Sequence, residues 1–180
     1  MSNRILMTKE EIELAVQRIG LQILEDHHSP QRIGIVGIYT CGVSIARCLH
    51  AFIERTMGMS VESGSLDINL YRDDWSLMSQ NPVVKTTDIL FDVNGREIIL
   101  VDDVIFTGRT IRAALDAIMD FGRPANIQLV ALIDRGGREL PIQPDYCGQK
   151  FSVPQGSKIN VIMDTGDDGH ITSGEVVIED

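Results

Sequence analysis

A chain of 180 residues with 43% apolar side chains is long enough to bury one domain's core, and residues 1–180 are read as a single domain. Its net charge of −10 argues against nonspecific nucleic-acid binding, because phosphate repulsion is long-ranged at low salt, although a local basic face is compatible with it. No run of about 18 apolar residues exists to span a membrane, residues 1–8 lack a signal-peptide core, and three cysteines (Cys41, Cys48, Cys147) without Cys-x-x-Cys spacing suit reduced thiols. A cytoplasmic protein is expected.

Thr8-Lys-Glu-Glu11 has the form of a capping box, and Ile12, Ala15, Val16, Ile19 and Ile23 follow at helical spacing. His27 and His28 end this first helix, where a cation suits the dipole. Ile33 to Ile38 reads as a buried strand, followed by Tyr39-Thr-Cys-Gly42 and a helix through Ile45, Leu49 and Ile53. Leu66, Ile68 and Leu70 alternate with Asp67 and Asn69, which predicts a half-exposed strand. Residues 72–92 have weak periodicity and read as a long loop, a feature that is usually functional in compact domains. Trp75 lies in it, as a lid anchor or a subunit contact. Ile98 to Val101 predicts a strand, residues 111–121 a helix ended by Gly122 with Pro124 beyond, and residues 127–133 the next strand. Residues 164–180 carry six acids and neither Lys nor Arg, and Glu175-Val-Val-Ile178 predicts an edge strand with solvated acids. Strand–helix–strand connections of this length predict an α/β fold, a mostly parallel sheet flanked by helices on both faces.

The most informative stretch is Ile98-Ile-Leu-Val-Asp-Asp-Val-Ile-Phe-Thr-Gly-Arg-Thr110. An apolar strand ends in two acids, and a small hydroxyl-bearing turn follows where a helix begins. Ligands of open α/β sheets bind beyond the carboxyl ends of the strands. The free N–H groups of a helix start, with two hydroxyls and a glycine, suit a phosphate. Carboxylates repel phosphate, so Asp102 and Asp103 must meet something else, either sugar hydroxyls or a divalent cation. A ribose 5-phosphate unit satisfies both halves. Neither Gly-x-x-x-x-Gly-Lys-Ser/Thr nor Gly-x-Gly-x-x-Gly after a strand is present to support a nucleotide-triphosphate or dinucleotide site.

At these residues the chain resembles the type I phosphoribosyltransferases, whose phosphoribosyl-pyrophosphate (PRPP) motif has this form. Asp67-Ile-Asn-Leu-Tyr-Arg-Asp-Asp74, Gly122-Arg-Pro124 and Asp134-Arg-Gly-Gly-Arg-Glu-Leu-Pro-Ile142 narrow the resemblance to the PyrR family, over about residues 4–161. That likeness implies the type I phosphoribosyltransferase fold, with a small hood and a flexible loop over the site. It implies a uracil phosphoribosyltransferase that makes UMP and diphosphate from uracil and PRPP with Mg²⁺. The rival it implies is a UMP-sensing regulator that acts on a pyr mRNA leader or a protein partner with little turnover. A homodimer or higher homo-oligomer is expected.

The resemblance also carries residue roles. Asp102, Asp103 and Arg138 are the expected catalytic groups, with Mg²⁺ held by substrate diphosphate and ribose near the two acids. Thr40, Cys41 and Gly42 form the pyrophosphate loop, and Asp102, Asp103, Val104, Ile105, Phe106, Thr107, Gly108, Arg109 and Thr110 complete the PRPP or UMP site. Asp134, Arg135, Gly136 and Arg138 belong to the hood that receives uracil. Arg72, Asp73 and Lys85 belong to the flexible loop. Displacement of pyrophosphate passes through an oxocarbenium-like state, so these cations and Mg²⁺ would neutralise the leaving group. The chain departs from its family in two places. Cys41 stands where the pyrophosphate loop usually has Arg, and Gln143 stands where a base is common. Arg18, Arg138 and Lys150 remain of the positions linked to RNA contact.

Overall fold

Strand β4 (Glu97–Ile105) alternates its apolar side chains between two cores, and that alternation sets the layering. Ile99 and Val101 pack with residues of α1 (Lys9–Asp26) and α2 (Cys41–Met57), while Ile98 and Leu100 pack with Ile111, Ala114 and Ile118 of α3 (Arg109–Met119). Strand β2 (Ile33–Ile38) divides in the same way, with Ile33 and Ile35 on one side and Val36 and Ile38 on the other. A strand buried on both faces is the signature of a parallel sheet. The structure, a computed structural model, describes residues 4–73, 86–154 and 156–179.

With β3 (Glu62–Leu66), β5 (Asn126–Asp134) and β6 (Tyr146–Lys150), the sheet has the order β3-β2-β4-β5-β6, and every neighbouring pair is parallel. All five carboxyl ends therefore open on one edge. A second sheet, antiparallel and three-stranded, has the order β1-β8-β7, from Arg4–Thr8, Ile171–Glu179 and Lys158–Thr165. It shares a core with α1 and α2 through Met7, Val161 and Val176. Among the described residues no helix is long and apolar enough to cross a membrane.

The capping box forms as expected: the Thr8 N–H donates to Glu11 Oε2 at 2.8 Å, and the Glu11 N–H returns to Thr8 Oγ1 at 3.4 Å. Gly58, at φ 64°, closes α2 between Met57 and Met59. His27 is the C-cap of α1, but its buried ring bridges Glu97 Oε2 at 2.5 Å and Gln128 Oε1 at 2.6 Å rather than facing the helix dipole.

Three expectations need correcting. The alternation from Leu66 to Leu70 is not a strand: β3 ends at Leu66, and Asn69–Tyr71 form one 3₁₀ turn with Leu70 exposed. Leu66 and Ile68 are both buried, so the pattern mimicked a period of two while the backbone was already turning. The tail is not an edge strand either. Strand β8 lies between β1 and β7, pairing Arg4 with Ile178 and Ile159 with Ile178. Finally, β4 runs on to Ile105, so Asp102 and Asp103 lie inside its last turn of pleat rather than beyond it.

Candidate active site

The site begins where α2 meets the end of β4. A Cβ on Gly42 would lie 2.5 Å from the Val101 carbonyl oxygen and 3.2 Å from Asp102 Cα, so only glycine lets the helix start there. Gly37 serves the same approach from β2, because a Cβ there would sit 2.6 Å from Val43 Cα. The turn between them contains a cis Tyr39–Thr40 peptide, and Thr40 makes no side-chain cap on the 17-residue helix. The first N–H groups of α2 and their positive dipole end thus face the carboxyl edge. Cys41 turns its thiol away from that edge, donating to the Val161 carbonyl of β7 at 3.2 Å.

Asp102 and Asp103 stand beside this turn. Asp102 is 4% exposed and its Oδ1 accepts the Asp103 N–H at 3.0 Å, while Asp103 Oδ1 accepts the Val104 N–H at 2.9 Å. Burial, and then the neighbouring Asp103 charge, push the Asp102 carboxyl well above the usual carboxylate range. The folded chain therefore keeps a proton that the unfolded chain, with an ordinary Asp near pH 3.9, releases. Protein stability then falls as pH rises from about 4 through the folded value. We expect Asp102→Asn to melt a few degrees above the wild type at pH 8, with the difference vanishing below about pH 4. Thermal melts across that range check it, and equal melting temperatures at pH 8 would remove the conflict inferred here.

The turn after β4 leads into α3 through its N-cap Gly108, at φ 92°, which has no side chain to cap the helix. The Arg109 N–H reaches only Thr107 Oγ1, at 3.4 Å. A cleft of about 290 Å³ opens over it, lined by Arg72, Asp73, Thr107, Arg109 and Thr110. Helix start, hydroxyls, glycine and arginines are thus brought together around one cleft, with room for a phosphate. The Arg109 guanidinium pairs with Glu139 and with Asp73, each at 2.7 Å, and those acids hold it still more firmly charged. Arg112 donates to the Tyr71 carbonyl at 2.9 Å, and the Tyr71 hydroxyl donates to Asp120. The two arms of the long loop are pinned where they leave the sheet, by Asp67 N–H to Thr87 Oγ1 at 3.0 Å and by paired backbone bonds between Ser65 and Asp88. Lys85 and Trp75 lie outside the described residues.

The segment after β5 runs alongside the turn. Asp134 is buried and accepts the Gly136 N–H at 2.9 Å and Arg138 Nη2, also at 2.9 Å. The Arg138 side chain is 12% exposed and also donates to Ile142 O, Phe106 O and Gln143 Oε1. Expected among the groups that meet substrate, it is enclosed by acceptors of its own chain. Arg135 lies over the Phe106 ring at 3.9 Å, with its Nε buried and unpartnered. Ile105, expected at the phosphate, is a core residue at 1% exposure, and Val104 packs against the other core. Arg18 donates to the Cys147 and Gly148 carbonyls of β6, where Lys150 is exposed.

Sequence reasoning missed Glu139, Arg112 and Tyr71. Arg112 left a signal, since Asp116 stands four residues on and pairs with it at 2.8 Å. The other links join distant segments and left none.

Among known proteins, a Phosphoribosyl transferase domain model matches residues 3–164. Proteins described as "Bifunctional protein PyrR" are similar over most of the chain. That of Caldicellulosiruptor bescii is 44% identical, covering 97% of this chain and 93% of its own. That of Thermoanaerobacter pseudethanolicus is 47% identical, covering 90% and 91%. Among solved structures, a hypoxanthine-guanine phosphoribosyltransferase of Bacillus anthracis superposes with TM-score 0.65 at 19% identity, covering 83% of this chain and 84% of that one. At that identity the likeness is one of fold.

Proposed function

The chain belongs to the PyrR family within the phosphoribosyl transferase domain proteins, and from that premise we propose that it makes UMP and diphosphate from uracil and PRPP. The observation that carries this reading is the convergence, on one sheet edge, of an acid pair, the helix start after Gly108 with its cleft, and a second helix start at Gly42. In this reading Asp103, with Asp102 beneath it, holds the ribose hydroxyls. The turn from Phe106 through Thr110 holds the 5′-phosphate, and Thr40, Cys41 and Gly42 present backbone N–H groups to the diphosphate. The backbone of Arg135 and Gly136 meets uracil, whose one ring N–H between two carbonyls needs no special side chain. Arg138 acts as a positioning residue, because its donors already have acceptors. Arg72 and Asp73 border the cleft from the loop side.

Among the described residues no group of three or more His, Cys, Asp or Glu side chains is arranged to hold a metal alone. The partly buried Asp103 carboxylate, beside diphosphate and ribose oxygens of a bound substrate, fits Mg²⁺, which keeps few protein ligands. When bound there, the ion would neutralise the departing diphosphate. A spectrophotometric assay of uracil and PRPP, with and without Mg²⁺, tests the proposal: we expect Mg²⁺-dependent UMP formation, and its absence with uracil but presence with another base would overturn the substrate.

A second, regulatory reading, that the UMP-bound form acts on a pyr mRNA leader, draws on the relatives' description as bifunctional and on Arg18 and Lys150 lying together at β6. With Arg138 enclosed, two phosphate contacts remain. Binding to a leader hairpin should be weak and fall with salt at a log–log slope of about −1.5 to −2. Filter binding decides it, and tight, salt-insensitive binding would contradict the surface assigned here.

A further inference from the structure

The phosphate turn and the segment after β5 touch along their whole length. The Arg135 N–H donates to Ile105 O at 3.2 Å, and Glu139 and Leu140 both donate to Thr107 O, at 2.9 and 3.1 Å. Arg138 Nη1 donates to Phe106 O at 3.0 Å between them. The Phe106 side chain sits in the middle of this seam although it is 42% exposed. The Arg135 guanidinium covers the ring. Gly137, at φ 73°, lies so close that a Cβ there would overlap the ring, 3.0 Å from Cδ2 and nearer still to Cε2. Gly136, at φ 71°, has the same backbone conformation with nothing within 4 Å of its Cβ position. Two adjacent glycines therefore share one strain and differ in one contact, the Phe106 ring.

We infer that Phe106 is a positioning residue, a pin that locks the phosphate turn to residues 134–142, so that a change on the base side is felt at the phosphate. The inference rests on the reading of residues 107–110 as the 5′-phosphate site. The turn has little of its own to hold it: a left-handed Gly108 without a capping side chain, and a long 3.4 Å bond from the Arg109 N–H to Thr107 Oγ1. Its placement comes across the seam, from bonds to Ile105, Phe106 and Thr107 carbonyls made by the neighbouring segment. Displacing the ring from Gly137 moves the Phe106 carbonyl and the amides that follow it.

Ribose 5-phosphate is the probe, because it has neither the base that the segment after β5 would receive nor a diphosphate. Gly136→Ala supplies the strain without the contact, so any loss it shows measures strain alone and should be clearly smaller than that of Gly137→Ala. Gly137→Ala should bind it about tenfold more weakly, a coupling of ordinary size between sites. Phe106→Leu should bind it severalfold more weakly, and in that background Gly137→Ala should add nothing further, since the ring it displaces is gone. Phe106→Tyr, which keeps the ring, should restore binding. Should Gly137→Ala fail to fold, the Phe106 pair carries the test alone. Wild-type affinity in Phe106→Leu overturns the pin and leaves the proposed function standing. No binding by the wild type overturns the phosphate site, and the pin with it.

Discussion

Asp103→Asn is expected to lower UMP affinity by about ten- to a hundredfold, the 1.5–3 kcal/mol of a charge-assisted hydrogen bond. Asp102→Asn is expected to lower it less. Burial and the adjacent Asp103 hold Asp102 toward its neutral form, so an amide replaces a group with little charge to lose. Asp103 is only partly buried and is the member of the pair open to the ligand. The double variant should then lose little more than Asp103→Asn alone, and its fold should survive, because Asn can still accept the Asp103 and Val104 N–H groups. Calorimetric titration with UMP settles this. Unchanged affinity in the double variant would remove ribose from these acids, and equal losses at both positions would place the charge on Asp102.

Cys41→Arg is expected to raise kcat/KM for PRPP by about ten- to a hundredfold, each tenfold being roughly 1.4 kcal/mol. A donor at the leaving group matters most as negative charge develops on diphosphate, and a thiol supplies no fixed charge there. The Cys41 thiol instead donates to the Val161 carbonyl and packs against the core shared with α1 and α2. Position 41 is the first residue of α2, beside the helix start that the proposed function assigns to the diphosphate. UMP affinity should change little, since UMP has no diphosphate. Steady-state kinetics of the two proteins, with Cys41→Ser as a control that adds no charge, make the comparison. An equal or lower kcat/KM in the arginine variant would place position 41 outside the leaving-group site.

What could be read in the sequence was what local chemistry decides. Thr8 and Glu11 announce a helix start because both partners of the capping box lie within four residues. Strand β2 and helix α3 declare themselves by unbroken apolar runs and spacing, and the turn after β4 by the need to reconcile acids with hydroxyls. Strand β1 gave no signal: Arg4–Thr8 mixes apolar and polar residues, and only its distant partner β8 makes it a strand. The tail misled for the same reason, since an acid such as the half-buried Glu175 beside an apolar run is as compatible with a central strand of an open-faced sheet as with an edge. Arg138 was visible as a conspicuous cation, but its enclosure by Phe106 O, Ile142 O and Asp134 depends on a loop path that no spacing encodes. The ring contact at Gly137 was equally silent, because a glycine in sequence does not say what occupies the space its side chain would have taken.

The pairing of Arg4 with Ile178 has a consequence for the order in which the chain acquires its form. Strand β1 precedes β8, its strand partner among the described residues, by the whole of the parallel sheet. The parallel sheet can assemble from neighbours close in sequence, such as β4 with β5 across α3, while the small sheet must wait for a closure spanning nearly the whole chain. Until then Arg4–Thr8 presents an unpaired strand edge, a hazard during synthesis that its leading arginine and short length moderate. Since Val161 in that late sheet is the acceptor for Cys41, the turn before α2 receives this support only after β7 has been made.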